Sequence, residues 1–280
     1  MDILNILAEP FTYTFMQQAF FIVLCVSVPT SLLSCFLVLK GWSLMGDAIS
    51  HSVLPGIVLA YLLGFSYAIG AFMAAMICAF LIGFIKDNSR LKEDTIMGVV
   101  FSSMFALGIV LMTKIQSGIH LDHILFGDVL GLSWSDIKES AGIALIVAIC
   151  IFFKGKDLML FVFDNNHAKA IGLNVGFLQY GILILLSLTI VGALKAVGMI
   201  LVIALLITPG AIAHLVTNQF KNMIWVSLAT SVTMSFLGVY VSFYINSAPA
   251  PTIIMLLTVT FIIVFFYKSR RVKKITSLSS

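Results

Sequence analysis

The chain has 280 residues, of which 61% are hydrophobic and 10% charged, with a mean hydropathy of +1.13. Soluble domains carry about 25% charged and about 45–50% apolar residues, and a soluble fold of this length could not cover so much apolar surface. A soluble enzyme, a disordered chain and a nucleic-acid-binding module are therefore excluded. The net charge of +4 comes from a single tail, because Lys268, Arg270, Arg271, Lys273 and Lys274 cluster at the C-terminus. The apolar runs are long and unalternated, which also excludes a transmembrane β-barrel. The composition leaves an all-α polytopic membrane bundle.

The N-terminal stretch MDILNILAEP carries Asp2 and Glu9 and lacks the basic region of a cleaved signal peptide. A helix needs about 20 apolar residues to cross a bilayer. Spans are predicted near 15–39, 44–63, 67–85, 95–112, 137–153, 177–194, 199–216, 223–245 and 252–267. The sixth and seventh are separated only by 195–198, so a tight hairpin or a merged segment there would reduce the nine spans to eight. Lys86, Arg90 and Lys92 follow the third span, and Lys154, Lys156 and Lys169 follow the fifth. Lys221 and the basic tail at 268–280 complete the pattern. All four groups fall on one side when the N-terminus is outside and the C-terminus cytoplasmic, as the positive-inside rule requires. Lys114 and Lys195 fall outside, singly. No polar stretch is long enough for a soluble domain, so 1–280 reads as one membrane domain. Cys25, Cys35, Cys78 and Cys150 sit in apolar runs without CxxC spacing and read as packing residues.

The second span opens with KGWSLMGDAISHSVLPG, which places Asp47 and His51 inside or at the edge of the membrane. Ionisable groups there are costly and face a cavity or a partner. Their i, i+4 spacing puts both on one helix face. The pair reads either as a buried hydrogen bond that fixes the helix or as two metal ligands. Carboxylate with imidazole suits Mn, Fe or Zn. One helix supplies two ligands, and a two-fold dimer with this helix at its axis supplies four. Gly46, Ser50, Ser52 and Gly56 permit close helix approach. Pro55 could free a backbone carbonyl.

The loop after the fourth span, IHLDHILFGDVLG, gathers His120, Asp122, His123 and Asp128. These residues read either as a metal entry station or as an ordinary polar loop. Between the fifth and sixth spans, KGKDLMLFVFDNNHAKAIGLNVG offers Asp164 as an N-cap and Gly172 as a C-terminal stop. A two-turn cytoplasmic helix is predicted at 164–172, with Ala168 at its centre and His167 in the loop. Helices this short are marginal alone, so it packs on its own bundle or on a partner. In the seventh span, Thr208, Pro209 and Gly210 predict a helix break that either lines a cavity or serves packing. His214 reads as an interfacial histidine near the end of that span. The chain has no GxxxxGK[ST] loop for a nucleotide and no HExxH metalloprotease motif.

With these segments in view, the chain resembles the metal-type permeases of bacterial ABC importers, over about 15–267. The resemblance rests on SLMGDAISHSVLPG, HILFGDVLG, FDNNHAKAIGLNV and VGMILVIALLITPGAIA together. It implies a permease dimer, homomeric or mixed, in the bacterial inner membrane, with cytoplasmic ABC ATPase subunits and an extracytoplasmic metal-binding protein. ATP hydrolysis then belongs to the partner subunit, and the chain itself is not an enzyme. No cofactor is held permanently; the divalent metal is cargo. The resemblance assigns Asp47 and His51 to the metal path and Asp164–Gly172 to the helix that couples to the ATPase. The ITPG and SAPAPTI segments are closer to manganese and iron members than to zinc members. Lys195 stands where the family suggests glutamine. A zinc importer of the same family, a proton-coupled secondary carrier and an intramembrane hydrolase are the competing readings. The last lacks a third in-membrane ligand and a nucleophile.

Overall fold

The computed structural model describes residues 7–115, 127 and 129–276. After a 3-10 turn at Glu9–Thr12 come α1 (Thr14–Lys40), α2 (Met45–Leu63), α3 (Tyr67–Asn88), α4 (Glu93–Ile115), α5 (Trp134–Phe163), α6 (Asn165–Ala170), α7 (Val175–Val216), α8 (Phe220–Ile245) and α9 (Pro249–Thr276). No strand occurs among the described residues. The predicted loop cluster of His120, Asp122, His123 and Asp128 lies outside them.

Among the described residues, seven helices are long and apolar enough to cross a membrane: α1, α2, α3, α4, α7, α8 and α9. The difference from nine predicted spans has two physical sources. In α5, Asp136, Lys138 and Glu139 at one end and Lys154, Lys156 and Asp157 at the other crowd an apolar stretch. And α7 is 42 residues long, about 63 Å if straight, which is twice the hydrocarbon thickness.

It is not straight, because Gly198 has φ 76° and ψ 166° inside otherwise helical backbone. Only glycine adopts such a positive φ readily. Contacts at the two ends show that the chain reverses there. Before Gly198, Lys195 pairs with Asp136 at the start of α5. After it, the Val216 carbonyl accepts from Lys268 Nζ at 3.4 Å, and Phe220 meets Phe163 edge-on at 6.2 Å. Val216 therefore returns to the end of the bundle where α5 finishes and α7 begins. The segments 175–197 and 199–216 form an antiparallel hairpin, so the sixth and seventh predicted spans are both present.

Two sets of helices share one core. One set is α2, α3 and α4; the other is α1, α5, α7, α8 and α9, with α7 touching both. Lipid supplies no hydrophobic drive between helices, so close packing and hydrogen bonds hold them. α2 and α3 cross backbone to backbone, since a Cβ on Gly56 would lie 2.1 Å from the Gly70 carbonyl oxygen. α1 and α8 are joined by buried serines. Ser27 and Ser235 hydroxyls meet at 2.8 Å, and Ser227 donates to the Ser31 carbonyl at 2.9 Å. Cys35 and Cys78 are buried, Cys25 and Cys150 partly so, and all four are free thiols.

Candidate functional site

Most of α2 is enclosed by its neighbours. From Met45 to Val58 every residue is buried except Asp47 and His51. His51 Nε2 lies 3.2 Å from Asp47 Oδ1, and the two side chains are 25% and 30% exposed. Their helical spacing makes the contact, as the sequence predicts. Around them the helix is fixed by backbone-directed bonds: Ser50 donates to the Gly46 carbonyl at 2.7 Å and Ser52 to the Ile49 carbonyl at 2.8 Å. Gly46 sits against Leu206 of α7, where an added Cβ would be 3.2 Å from its Cδ1. Pro55 is buried within helical backbone.

The imidazole is positioned by α4. Phe105 meets it edge-on at 5.1 Å, and Phe101 lies at 5.7 Å. These two phenylalanines were not among the sequence candidates; their own i, i+4 spacing in FSSMF is the signal that marks one face. His51 Nδ1 is buried without a hydrogen-bond partner in the structure. Among the described residues no group of three or more His, Cys, Asp or Glu side chains could hold a metal. Among the described residues one chain thus presents two donors on a partly exposed stripe, without a third to complete a shell.

At the end of the bundle below this pair, α1, α3 and α4 are tied by aromatic and ionic contacts. Trp42 Nε1 donates to Glu93 Oε2 at 3.2 Å, and Lys86 pairs with Glu93. Lys40 donates to the Phe161 carbonyl at 3.1 Å and lies 4.0 Å over the Phe161 ring. A positioned cation over an aromatic face is itself favourable.

The predicted short helix is α6. Asp164 accepts hydrogen bonds from the Asn166 and His167 amides, both at 2.9 Å, and these hold its carboxyl below the usual range. At the other end Gly172 has φ 85°, its amide donates to the Lys169 carbonyl, and the Leu173 amide donates to the Ala168 carbonyl. That is a Schellman closure. Only Ala168 within the helix is buried, while Phe163 and Ile171 flanking it are exposed. The element is locally finished and turns most of its surface outward.

The expected break at Thr208–Gly210 is a correction. Helical dihedrals run through all three residues, and Gly198 is the non-helical position in α7. The reason is Ser34 of α1. Its hydroxyl donates to the Ile207 carbonyl at 3.2 Å and accepts from the Gly210 amide at 2.9 Å. It reconnects backbone groups beside Pro209, which lacks a donor. Gly210 admits α1 closely, since a Cβ there would be 2.6 Å from the Ser34 carbonyl oxygen. The segment is a helix-packing joint. Lys195, the odd cation of the sequence reading, has a partner in Asp136, whose carboxylate also closes the capping box with Ser133. Asp136 is pulled below the usual carboxylate range chiefly by that lysine.

The description "ABC 3 transport family" matches residues 12–268. A Haemophilus influenzae protein named "Probable iron transport system membrane protein" is 51% identical over 95% of this chain and 98% of its own length. The Synechocystis "Manganese transport system membrane protein MntB" is 48% identical over 92% of this chain and 84% of its own length. Among solved structures, PsaBC from Streptococcus pneumoniae in complex with Fab superposes with a TM-score of 0.86 at 37% identity, covering 97% of this chain and 99% of that one.

Proposed function

The chain belongs to the ABC 3 transport family, and from that membership we infer that it is the membrane permease of an ATP-driven importer whose cargo is Mn²⁺ or Fe²⁺. As a permease subunit it works with separate ATPase subunits, a metal-binding donor protein and a second permease subunit. The metal assignment rests on the iron and manganese names of its relatives.

The observation that carries the site is the open Asp47–His51 pair. Two donor atoms each about 2.1 Å from one metal, at angles of about 90–110°, lie about 3.0–3.4 Å apart. The observed 3.2 Å separation falls in that range, which a direct hydrogen bond also occupies. Apposing two copies on this stripe supplies two carboxylates and two imidazoles. Donors that are complete only between subunits separate when the subunits move, which favours release over storage. The basic loops and tail support a cytoplasmic C-terminus and an outer N-terminus. In that orientation α6 lies on the cytoplasmic face, where an ATPase would grip it, and the Gly198 hairpin tip faces outward.

ATP-dependent uptake by the assembled transporter in sealed vesicles, compared across Mn²⁺, Fe²⁺ and Zn²⁺, tests this reading. Mn²⁺ or Fe²⁺ accumulation that stops without ATP is the expected result. Preference for Zn²⁺, or uptake driven by an imposed proton gradient without ATP, would overturn it.

A further inference from the structure

Away from the Asp47–His51 stripe, α5 and α8 both pack on α1 and leave a cleft of about 1010 Å³ between them. That is at the upper end of the roughly 300–1,000 Å³ of small-ligand sites. Its walls are apolar, with Phe36, Ile149, Phe152, Phe220 and Ile224 prominent. Phe152 is 85% exposed. Lys156 of α5 and Lys221 of α8 stand among the lining residues, and no carboxylate does.

We propose that this cleft is a binding site for an anionic phospholipid of the cytoplasmic leaflet, its acyl chain between α5 and α8 and its phosphate on Lys156 and Lys221. The placement rests on the orientation inferred above.

Charge bookkeeping selects these two lysines. Lys154, two residues before Lys156, is paired with Asp157 at 3.2 Å. Lys156 and Lys221 have no acidic partner among the described residues. Sidedness alone explains basic residues near a membrane surface. It does not explain two unpaired lysines from different helices at one apolar cleft. Long lysine stems pack along apolar walls while the ammonium reaches the headgroup level. Each basic residue adds to attraction for an anionic lipid. A zwitterionic lipid would fill the same cleft without that gain. A protein segment is the competing occupant, and the test separates the two.

The full-length permease is purified in its transporter complex, stripped of lipid, and titrated with dioleoyl-phosphatidylglycerol or dioleoyl-phosphatidylcholine under native mass spectrometry. Wild type is expected to retain the anionic lipid on the order of tenfold better than the zwitterionic one. Lys156→Gln/Lys221→Gln is expected to lose the preference, and Lys154→Gln to keep it. Equal retention of both lipids by wild type, or an unchanged preference in the double variant, would overturn the site. Displacement of the lipid by millimolar inorganic phosphate would also overturn it, because the acyl chain would then contribute nothing. A photo-crosslinking residue at Phe152 gives a readout that does not depend on the lysine variants. A lipid adduct supports the proposal, and a polypeptide adduct overturns it. None of these readouts uses metal transport, so the result stands apart from the cargo assignment.

Discussion

His51 Nε2 lies 3.2 Å from Asp47 Oδ1 on the one stripe of α2, between Met45 and Val58, that the other described residues leave partly uncovered. A polar pair serving only to hold a helix in place would be satisfied by closing it inside the bundle. Here the pair is open on one side, while Phe101 and Phe105 wall the imidazole on the other.

Asp47→Ala and His51→Ala are each expected to abolish metal uptake while the protein still inserts and assembles. Each change removes one donor per copy, and two from a site completed by two copies. Asp47→Ala leaves the apolar packing intact, whereas His51→Ala also gives up the imidazole's contacts with Phe101 and Phe105. Metal accumulation in cells, with membrane levels measured in parallel, checks this. Normal accumulation in both variants would exclude the pair from the path.

Ser34→Ala is expected to destabilise the permease by about 1–2 kcal/mol, read as a fall in thermal unfolding temperature in detergent. The Gly210 amide and the Ile207 carbonyl, on either side of Pro209, each lose their bond to the Ser34 hydroxyl. Ser103→Ala is the control and should have little effect. That hydroxyl is exposed and bonds only to its own helix at Val99.

The crossing of α2 and α3 admits no side chain at Gly56 or Gly70. A Cβ on Gly70 would sit 2.3 Å from the Gly56 carbonyl oxygen. Gly56→Ala and Gly70→Ala should force the helices apart and cut the yield of folded protein sharply. Gly98→Ala should be tolerated, because nothing lies within 4 Å of its added Cβ. Size-exclusion profiles of the three variants decide the matter; three equal profiles would contradict the crossing.

Asp164→Ala is expected to expose the Asn166 and His167 amides to hydrogen exchange and to uncouple ATP hydrolysis from transport. The sign of its pH dependence follows from the lowered carboxyl pKa. A depressed folded value means the cap is fully effective above the ordinary carboxylate range, near pH 4. Protection is lost only as pH falls through the depressed value. The protection factors of these amides, with the intrinsic exchange rate divided out at each pH, should therefore be unchanged between pH 7 and pH 5. Loss of protection already at pH 6 would show that another group holds the helix.

Some of this was legible locally. Long apolar runs announce helices, Asp47 and His51 announce a shared face by spacing alone, and Asp164 with Gly172 brackets α6. Each signal lies within a few residues, and the physics that makes it is equally local: hydropathy, helical period and capping. The misread segment was local too, but its partner was not. Pro209 and Gly210 spell a broken helix when read by themselves, and the hydroxyl that keeps them helical comes from Ser34, 176 positions away from Gly210. Lys195 was unexplained for the same reason, with Asp136 lying 59 positions earlier.

The sequence by itself determined that this chain is a helical membrane protein, and which carboxylate and imidazole stand together. Only the tertiary structure decided that Gly198 reverses the chain, that α4 walls His51, and that the Asp47–His51 stripe is the side left open. The reason is that lipid is as apolar as the helices it surrounds. Hydrophobicity puts each helix in the membrane without saying which face meets which neighbour. That choice falls to glycine contacts, buried serines and close fit, and these exist only once the helices are assembled.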